Sequence, residues 1–176
     1  MKKKILACAV ALCLVLAVIP AFAADGSVTD AQGFKEALEA GGEVVLGGSF
    51  EIDSRLGITI TQPVTLDLNG YTVTETYGAN NNFVIAIKEG GSLTINDSAG
   101  EGAIIAEHAS YGYGIQLYSG ATLIVNGGTI QSTQETIDIY TVASNVKVEI
   151  NGGKVVSTEN NVLGVRGNSN IAVAIK

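Results

Sequence analysis

Six residues of this chain combine side chains that do chemistry with a spacing that brings them together: Lys88, Gln116, Tyr118, Asp138, Tyr140 and Arg166. Each belongs to a short segment of one kind, Ile85-Ala86-Ile87-Lys88, Ile115-Gln116-Leu117-Tyr118, Ile137-Asp138-Ile139-Tyr140 and Leu163-Gly164-Val165-Arg166. Apolar residues at period two describe a strand whose middle residue faces outward. Stacked with Ile58-Thr59-Ile60, these segments give an outer row of Thr59, Ala86, Gln116, Asp138 and Gly164, with Lys88, Tyr118, Tyr140 and Arg166 one step on. Two tyrosines one above the other, flanked by hydrogen-bonding groups, are a usual way to hold a sugar ring. The structural alternative is ordinary cross-strand packing of aromatic residues on a β face. Tyr111, Tyr113 and His108 fall in the long neighbouring loop, and His108 has neither a second His nor a Cys with which to hold a metal.

Catalysis would ask for more. A glycoside hydrolase needs two or three carboxylates a few Å apart on adjacent segments, and a polysaccharide lyase needs acidic Ca²⁺ ligands beside an Arg or Lys base. The row holds one carboxylate, Asp138, and the two arginines, Arg55 and Arg166, belong to opposite ends of the chain. No catalytic residue is assigned on this basis, and no metal site or cofactor is expected. Asp67 and Asp97 offer a weak Ca²⁺ alternative, but carboxylates so placed more often cap turns. Thr59 with Thr61, or Thr72 with Thr74, hints at an ice-binding array that is not repeated in register.

The elements that position the row are set by a repeat. Leu123-Ile124-Val125-Asn126-Gly127-Gly128-Thr129-Ile130 returns as Val64-Thr65-Leu66-Asp67-Leu68-Asn69-Gly70, as Leu93-Thr94-Ile95-Asn96-Asp97 and as Val148-Glu149-Ile150-Asn151-Gly152-Gly153. The Asn residues are 27, 30 and 25 apart, about one coil of a solenoid. Aligned on them, the coils give three strand columns. The first holds Ile58-Ile60, Ile85-Ile87, Ile115-Leu117, Ile137-Ile139 and Leu163-Val165. Val64-Leu68, Leu93-Ile95, Leu123-Val125 and Val146-Ile150 form the second, and Thr72-Val73, Ile104-Ile105, Thr129-Ile130 and Val155-Val156 the third. Three short strands per coil predict an all-β fold, a right-handed single-stranded parallel β-helix. A β-sandwich would need hairpins with tight two-residue turns and would not space Asn so evenly. Asn69, Asn96, Asn126 and Asn151 read as a structural ladder at bends that need a left-handed residue, with amides bonding from coil to coil. Asn96-Asp97-Ser98 fits a glycosylation acceptor, though a residue held in a ladder would be a poor substrate.

Residues 1–24 read as a signal peptide: Lys2, Lys3 and Lys4, an apolar run from Ile5 to Ile19, Pro20, and Ala21-Phe22-Ala23, with cleavage after Ala23 or Ala24. An uncleaved anchor or a lipid on Cys8 fits less well. Cys8 and Cys13 both lie there, so disulfides and Cys-held metals are not expected in the exported chain. Removal leaves seven basic residues against 17 acidic ones, a formal charge of minus ten. That balance opposes nucleic-acid binding, and no membrane segment is expected after cleavage.

Residues 25–42 read as a leader and a capping helix. Thr29-Asp30-Ala31-Gln32 has the spacing of a capping box, Ala31, Phe34 and Leu38 form an apolar stripe, and Gly41-Gly42 ends it. Residues 43–176 are the β-helix, with Gly47-Gly48 standing in the first coil where later coils place Asn. Variable insertions follow the third column and mark a working side. The last segment, Ile171-Ala172-Val173-Ala174-Ile175-Lys176, is an apolar strand for which further coils or a docked partner are expected.

Phe34-Lys35-Glu36-Ala37-Leu38, Val64 to Gly70, and the repeated Gly-Gly-x-Leu-Thr-Ile-Asn and Val-Asn-Gly-Gly-Thr-Ile units together resemble the right-handed β-helix, pectate-lyase-like group of bacterial secreted and surface proteins, over about residues 29–176. The group includes lyases, hydrolases and adhesins, so the resemblance implies fold far more than activity. The expected function is a secreted or cell-surface, non-catalytic, adhesin-like or carbohydrate-binding β-helix whose partner is a polysaccharide or host glycan. The alternative is the N-terminal part of a polysaccharide lyase or glycoside hydrolase whose catalytic coils lie beyond Lys176.

Overall fold

The computed structural model describes residues 26–75, 82–107, 112–167 and 169–176. The expected signal segment, His108 and Tyr111 lie outside the described residues.

Short apolar alternations fold into successive coils of three strands. The first coil is β1 (Gly42–Val45), β2 (Phe50–Ile52) and β3 (Ile58–Ile60); the second is β4 (Pro63–Asp67), β5 (Thr72–Glu75) and β6 (Asn82–Ile87). The third holds β7 (Ser92–Asn96), β8 (Ala103–Ala106) and β9 (Gly112–Leu117), and the fourth β10 (Thr122–Val125), β11 (Thr129–Ser132) and β12 (Glu135–Ile139). The fifth is β13 (Ser144–Ile150), β14 (Lys154–Ser157) and β15 (Leu163–Val165), above which β16 (Ser169–Ile175) begins another. Strands of the same column pair in parallel into three sheets, ordered β1-β4-β7-β10-β13-β16, β2-β5-β8-β11-β14 and β3-β6-β9-β12-β15. The chain is therefore an all-parallel β-solenoid.

Register follows burial, because a slip of one residue would turn a whole apolar set outward. Ile58, Ile85, Ile115 and Ile137 stack in one sheet, and Val64, Leu93, Leu123 and Val148 in another, all at most 2% exposed. In the sheet of β5, β8 and β11 the expected alignment is corrected by one residue. Val73, not Thr72, lies beside Ile104, and Thr72 lies beside Ala103. The reason is the core: Val73, Ile104 and Ile130 are fully buried in one row, into which the expected register would have pushed a threonine hydroxyl.

The helix α1 (Ala31–Ala40) packs on β1, β2 and β3, with Phe34 and Leu38 fully buried and the Phe34 ring set edge-on to Phe50 at 5.5 Å. Its N-cap is Asp30, whose carboxylate accepts from Gly33 N–H at 2.9 Å. The expected capping box is therefore replaced by a single Asp cap, and Gln32 donates to Glu36 instead. Gly41, at φ 81°, ends the helix by donating its N–H to the Ala37 carbonyl.

The corners divide labour in a way that corrects the expected role of Asn. Asn126 Nδ2 donates to Asn96 Oδ1 at 2.9 Å, and Asn151 Nδ2 donates to Asn126 Oδ1 at 3.0 Å. These three residues are not left-handed. The positive φ falls two residues later, on Gly128 (75°) and Gly153 (76°). Asn69 stands outside the ladder, because Asp67 occupies the position next to Asn96 and Val45 that next to Asp67. The first coil thus has Val45, not glycine, in the ladder position. Asn69 is left-handed at φ 49° and donates to the Leu46 carbonyl, so its coil turns with two extra residues that bury Leu68. A second amide contact, Asn170 Nδ2 to Asn145 Oδ1 at 2.9 Å, joins two left-handed Asn residues at another corner.

Candidate ligand-binding surface

The first-column strands β3, β6, β9, β12 and β15 carry the candidate residues. Pairing places Thr59, Ala86, Gln116, Asp138 and Gly164 side by side on the outer face. One step on, the backbone N–H groups of Tyr118, Tyr140 and Arg166 donate to the carbonyls of Ile87, Leu117 and Ile139 one coil below, which holds Lys88, Tyr118, Tyr140 and Arg166 in a column. The structure thus brings all six candidate residues onto one surface.

Their side chains form a continuous chain of contacts. Lys88 Nζ lies 3.0 Å from the centroid of the Tyr118 ring, and Tyr118 stacks on Tyr140 with centroids 4.8 Å apart and planes at 28°. Both faces of Tyr118 are therefore covered, whereas Tyr140 is 40% exposed. The Tyr118 hydroxyl donates to Gln116 Oε1 at 2.7 Å, and Gln116 Nε2 donates to Asp138 Oδ2 at 2.8 Å. Asp138 Oδ1 lies 3.1 Å from Arg166 Nη2. That oxygen accepts no hydrogen bond of good geometry, so the contact is an ion pair only.

Burial sets the charge state of this chain of contacts. Asp138 faces outward along its strand yet is 1% exposed, because its neighbours close over it. Its desolvation raises the carboxyl pKa above the usual range, and the hydrogen bond from Gln116 opposes this. Tyr118 is raised too, first by burial and then by the Asp138 charge. Lys88 is lowered by burial, while the neighbouring Tyr140 opposes the shift.

A second carboxylate enters that the sequence row does not contain. Glu135 Oε2 pairs with the same Arg166 Nη2 that Asp138 faces. Alternation from Ile137 would turn Glu135 into the core, yet its carboxylate meets Arg166 instead, beside the one position, Thr136 opposite Gly114, where the ladder of these two strands is interrupted without a change of register. Gly164 is what gives it room, since a Cβ there would lie 2.9 Å from Glu135 Oε2. The expectation of a single carboxylate in this region is therefore corrected to two, held by one guanidinium. Arg166 also lies over the Tyr113 ring at 5.4 Å.

Beside this cluster a cavity of about 220 Å³ is lined by Gly112, Tyr113, Gln134, Glu135, Asn160 and Arg166. Pockets for drug-sized ligands run to roughly 300–1,000 Å³, so this one fits a single ring or a side group of a longer chain. Gln134, Glu135 and Asn160 were legible as polar residues but not as neighbours, because the turn after β14 that carries Asn160 has no repeat to align it. Asp67 and Asp97 spend their oxygens elsewhere. Asp67 accepts from the N–H groups of Asn69 and Ser98, Asp97 from those of Gly70 and Gly102. Both cap turns, and among the described residues no three His, Cys, Asp or Glu side chains gather as a metal site.

Compared with protein-family models, with curated proteins and with solved structures, the chain matches none.

Proposed function

We propose that this chain is a secreted or cell-surface β-helix of bacterial, adhesin-like type that binds a glycan and performs no chemistry on it, and that its kinship lies with the pectate-lyase-like group. The observation that carries the reading is the tyrosine column: an aromatic ring exposed at Tyr140 is backed by Tyr118 and Lys88, and the next residue of the column, Arg166, lines a small polar cavity. An aromatic face next to convergent hydrogen-bonding groups suits the apolar face and hydroxyl edge of a pyranose. The two carboxylates support binding rather than hydrolysis. Hydrolytic carboxylates must reach a glycosidic bond from two sides, whereas Asp138 is closed off from solvent and Glu135 is paired with Arg166.

The test is a glycan array probed with the exported chain beside Tyr118→Ala and Tyr140→Ala variants, each shown by thermal unfolding to be folded at the assay temperature. Binding weakened by both substitutions is expected, Tyr140→Ala directly and Tyr118→Ala by removing the ring on which Tyr140 rests. Unchanged binding in both variants would remove the tyrosine column from the site.

A further inference from the structure

We propose that the cavity beside the tyrosine column selects by charge: it takes a neutral or amine-bearing sugar and turns away uronates and sialic acids. The inference rests on the glycan-binding reading and goes on to name the class of glycan. Glu135 and Arg166 line the cavity, Asp138 faces the same guanidinium from the buried side, and Glu159 stands behind Gln134, so three carboxylates gather on one guanidinium's side of the wall. Two of those carboxylates already share the Arg166 Nη2 group, so a sugar carboxylate would have to compete with protein acids for the cation.

The uncharged groups push in the same direction. The Gln134 amide donates to Glu159 Oε2 at 3.2 Å and accepts from Asn160 Nδ2 at 3.4 Å. The Asn160 carbonyl oxygen accepts from Asn161 N–H at 2.9 Å. Asn161 Nδ2 likewise donates to Glu135 Oε1 at 3.4 Å, so amide donors on this wall are spent on the protein's own carboxylates, for which a sugar carboxylate would have to compete. Lys88 does not redress the balance. It stands three coils from Arg166 along the column, about 14 Å at the spacing of paired strands and beyond the roughly 8 Å over which exposed charges act at physiological salt.

The experiment is an array carrying neutral, amino and acidic sugars in matched linkages, probed with wild type, Glu135→Gln and Glu159→Gln at low and physiological salt. Thermal unfolding confirms that each variant is folded. Wild type is expected to bind neutral or amino sugars and to bind their uronate counterparts about tenfold or more weakly, the gap widening at low salt. Glu135→Gln releases Arg166 from one acid and is expected to raise the ratio of uronate to neutral-sugar binding about tenfold. Glu159→Gln is expected to act in the same direction, more weakly.

Acidic sugars bound by wild type as well as neutral ones would overturn the charge selection and leave the glycan reading standing. Variants that shift every class of sugar equally would also overturn it, because the cavity would not be the selecting element. Binding to no sugar on the array would take down the glycan reading and this inference with it.

Discussion

Tyr118 and Tyr140, one coil apart, stack ring on ring at 4.8 Å, and Lys88 covers the far face of Tyr118 at 3.0 Å. The solenoid repeat is what makes this possible, since equal coils return equivalent positions to the spacing of paired strands. Only the outer ring of the three-layer column presents a face. Tyr140→Phe is expected to keep both the stack and glycan binding. Tyr140→Ala is expected to lower stability by only about 1 kcal/mol while weakening glycan binding, as read by urea unfolding and the array.

Asp67 gives a pH dependence with a definite sign. Burial would raise its pKa, but hydrogen bonds from Ser98 and Asn69 outweigh that and hold it below the ordinary 3.8. A carboxyl depressed in the folded state stabilises fully above its unfolded pKa, and that stabilisation is lost as pH falls through the folded value. Asp67→Ala is therefore expected to cost about 1 kcal/mol near neutrality, reduced from the buried figure by exposure. The difference from wild type should shrink steadily below the ordinary 3.8. Urea unfolding across that range checks it; a constant difference would mean the carboxylate charge plays no part.

Two left-handed glycines separate backbone strain from crowding. A Cβ at Gly153 would lie 2.5 Å from the Gly128 carbonyl oxygen, whereas at Gly100 it would meet nothing within 4 Å. Gly100→Ala is expected to cost about 1 kcal/mol, the conformational term alone. Gly153→Ala should cost at least about 2 kcal/mol, because the neighbouring coil is pushed away as well. Equal midpoints in chemical unfolding would refute the close approach of those coils.

The amide ladder is tested at its centre, where Asn126 both donates to Asn96 and accepts from Asn151. Asn126→Ala is expected to lose about 1 kcal/mol, since each exposed bond contributes modestly. Asn126→Asp keeps an acceptor for Asn151 but sets a carboxylate oxygen against Asn96 Oδ1, and should unfold at lower urea than the alanine variant. An aspartate as stable as wild type would show that no donor is required there.

The solenoid was legible in the chain because each coil repeats the same apolar alternation, and parallel stacking is what a constant period buries most efficiently. The first-column alignment Ile58-Ile60 through Leu163-Val165 follows the observed pairing residue for residue. The third column slipped by one at Ile104 and again at Val155, where Ala103-Ile104-Ile105 and Val155-Val156 are runs of apolar residues in which alternation cannot choose a face. Asn69 was misplaced because Asn followed by Gly marks a turn wherever it occurs, whether or not the coil has the standard length.

The sequence by itself determined the coil, its three strand columns and the outer row from which Lys88, Gln116, Tyr118, Asp138, Tyr140 and Arg166 project, because period-two burial is a local property that repetition amplifies. Only the tertiary structure decided that Asp138 is closed off from solvent, that Glu135 joins it on Arg166, and that a cavity opens beside Tyr113. Those outcomes depend on where a ladder is interrupted and on the volume a single glycine leaves empty. Both are set by neighbouring coils packing against one another, and no pattern within one coil encodes them.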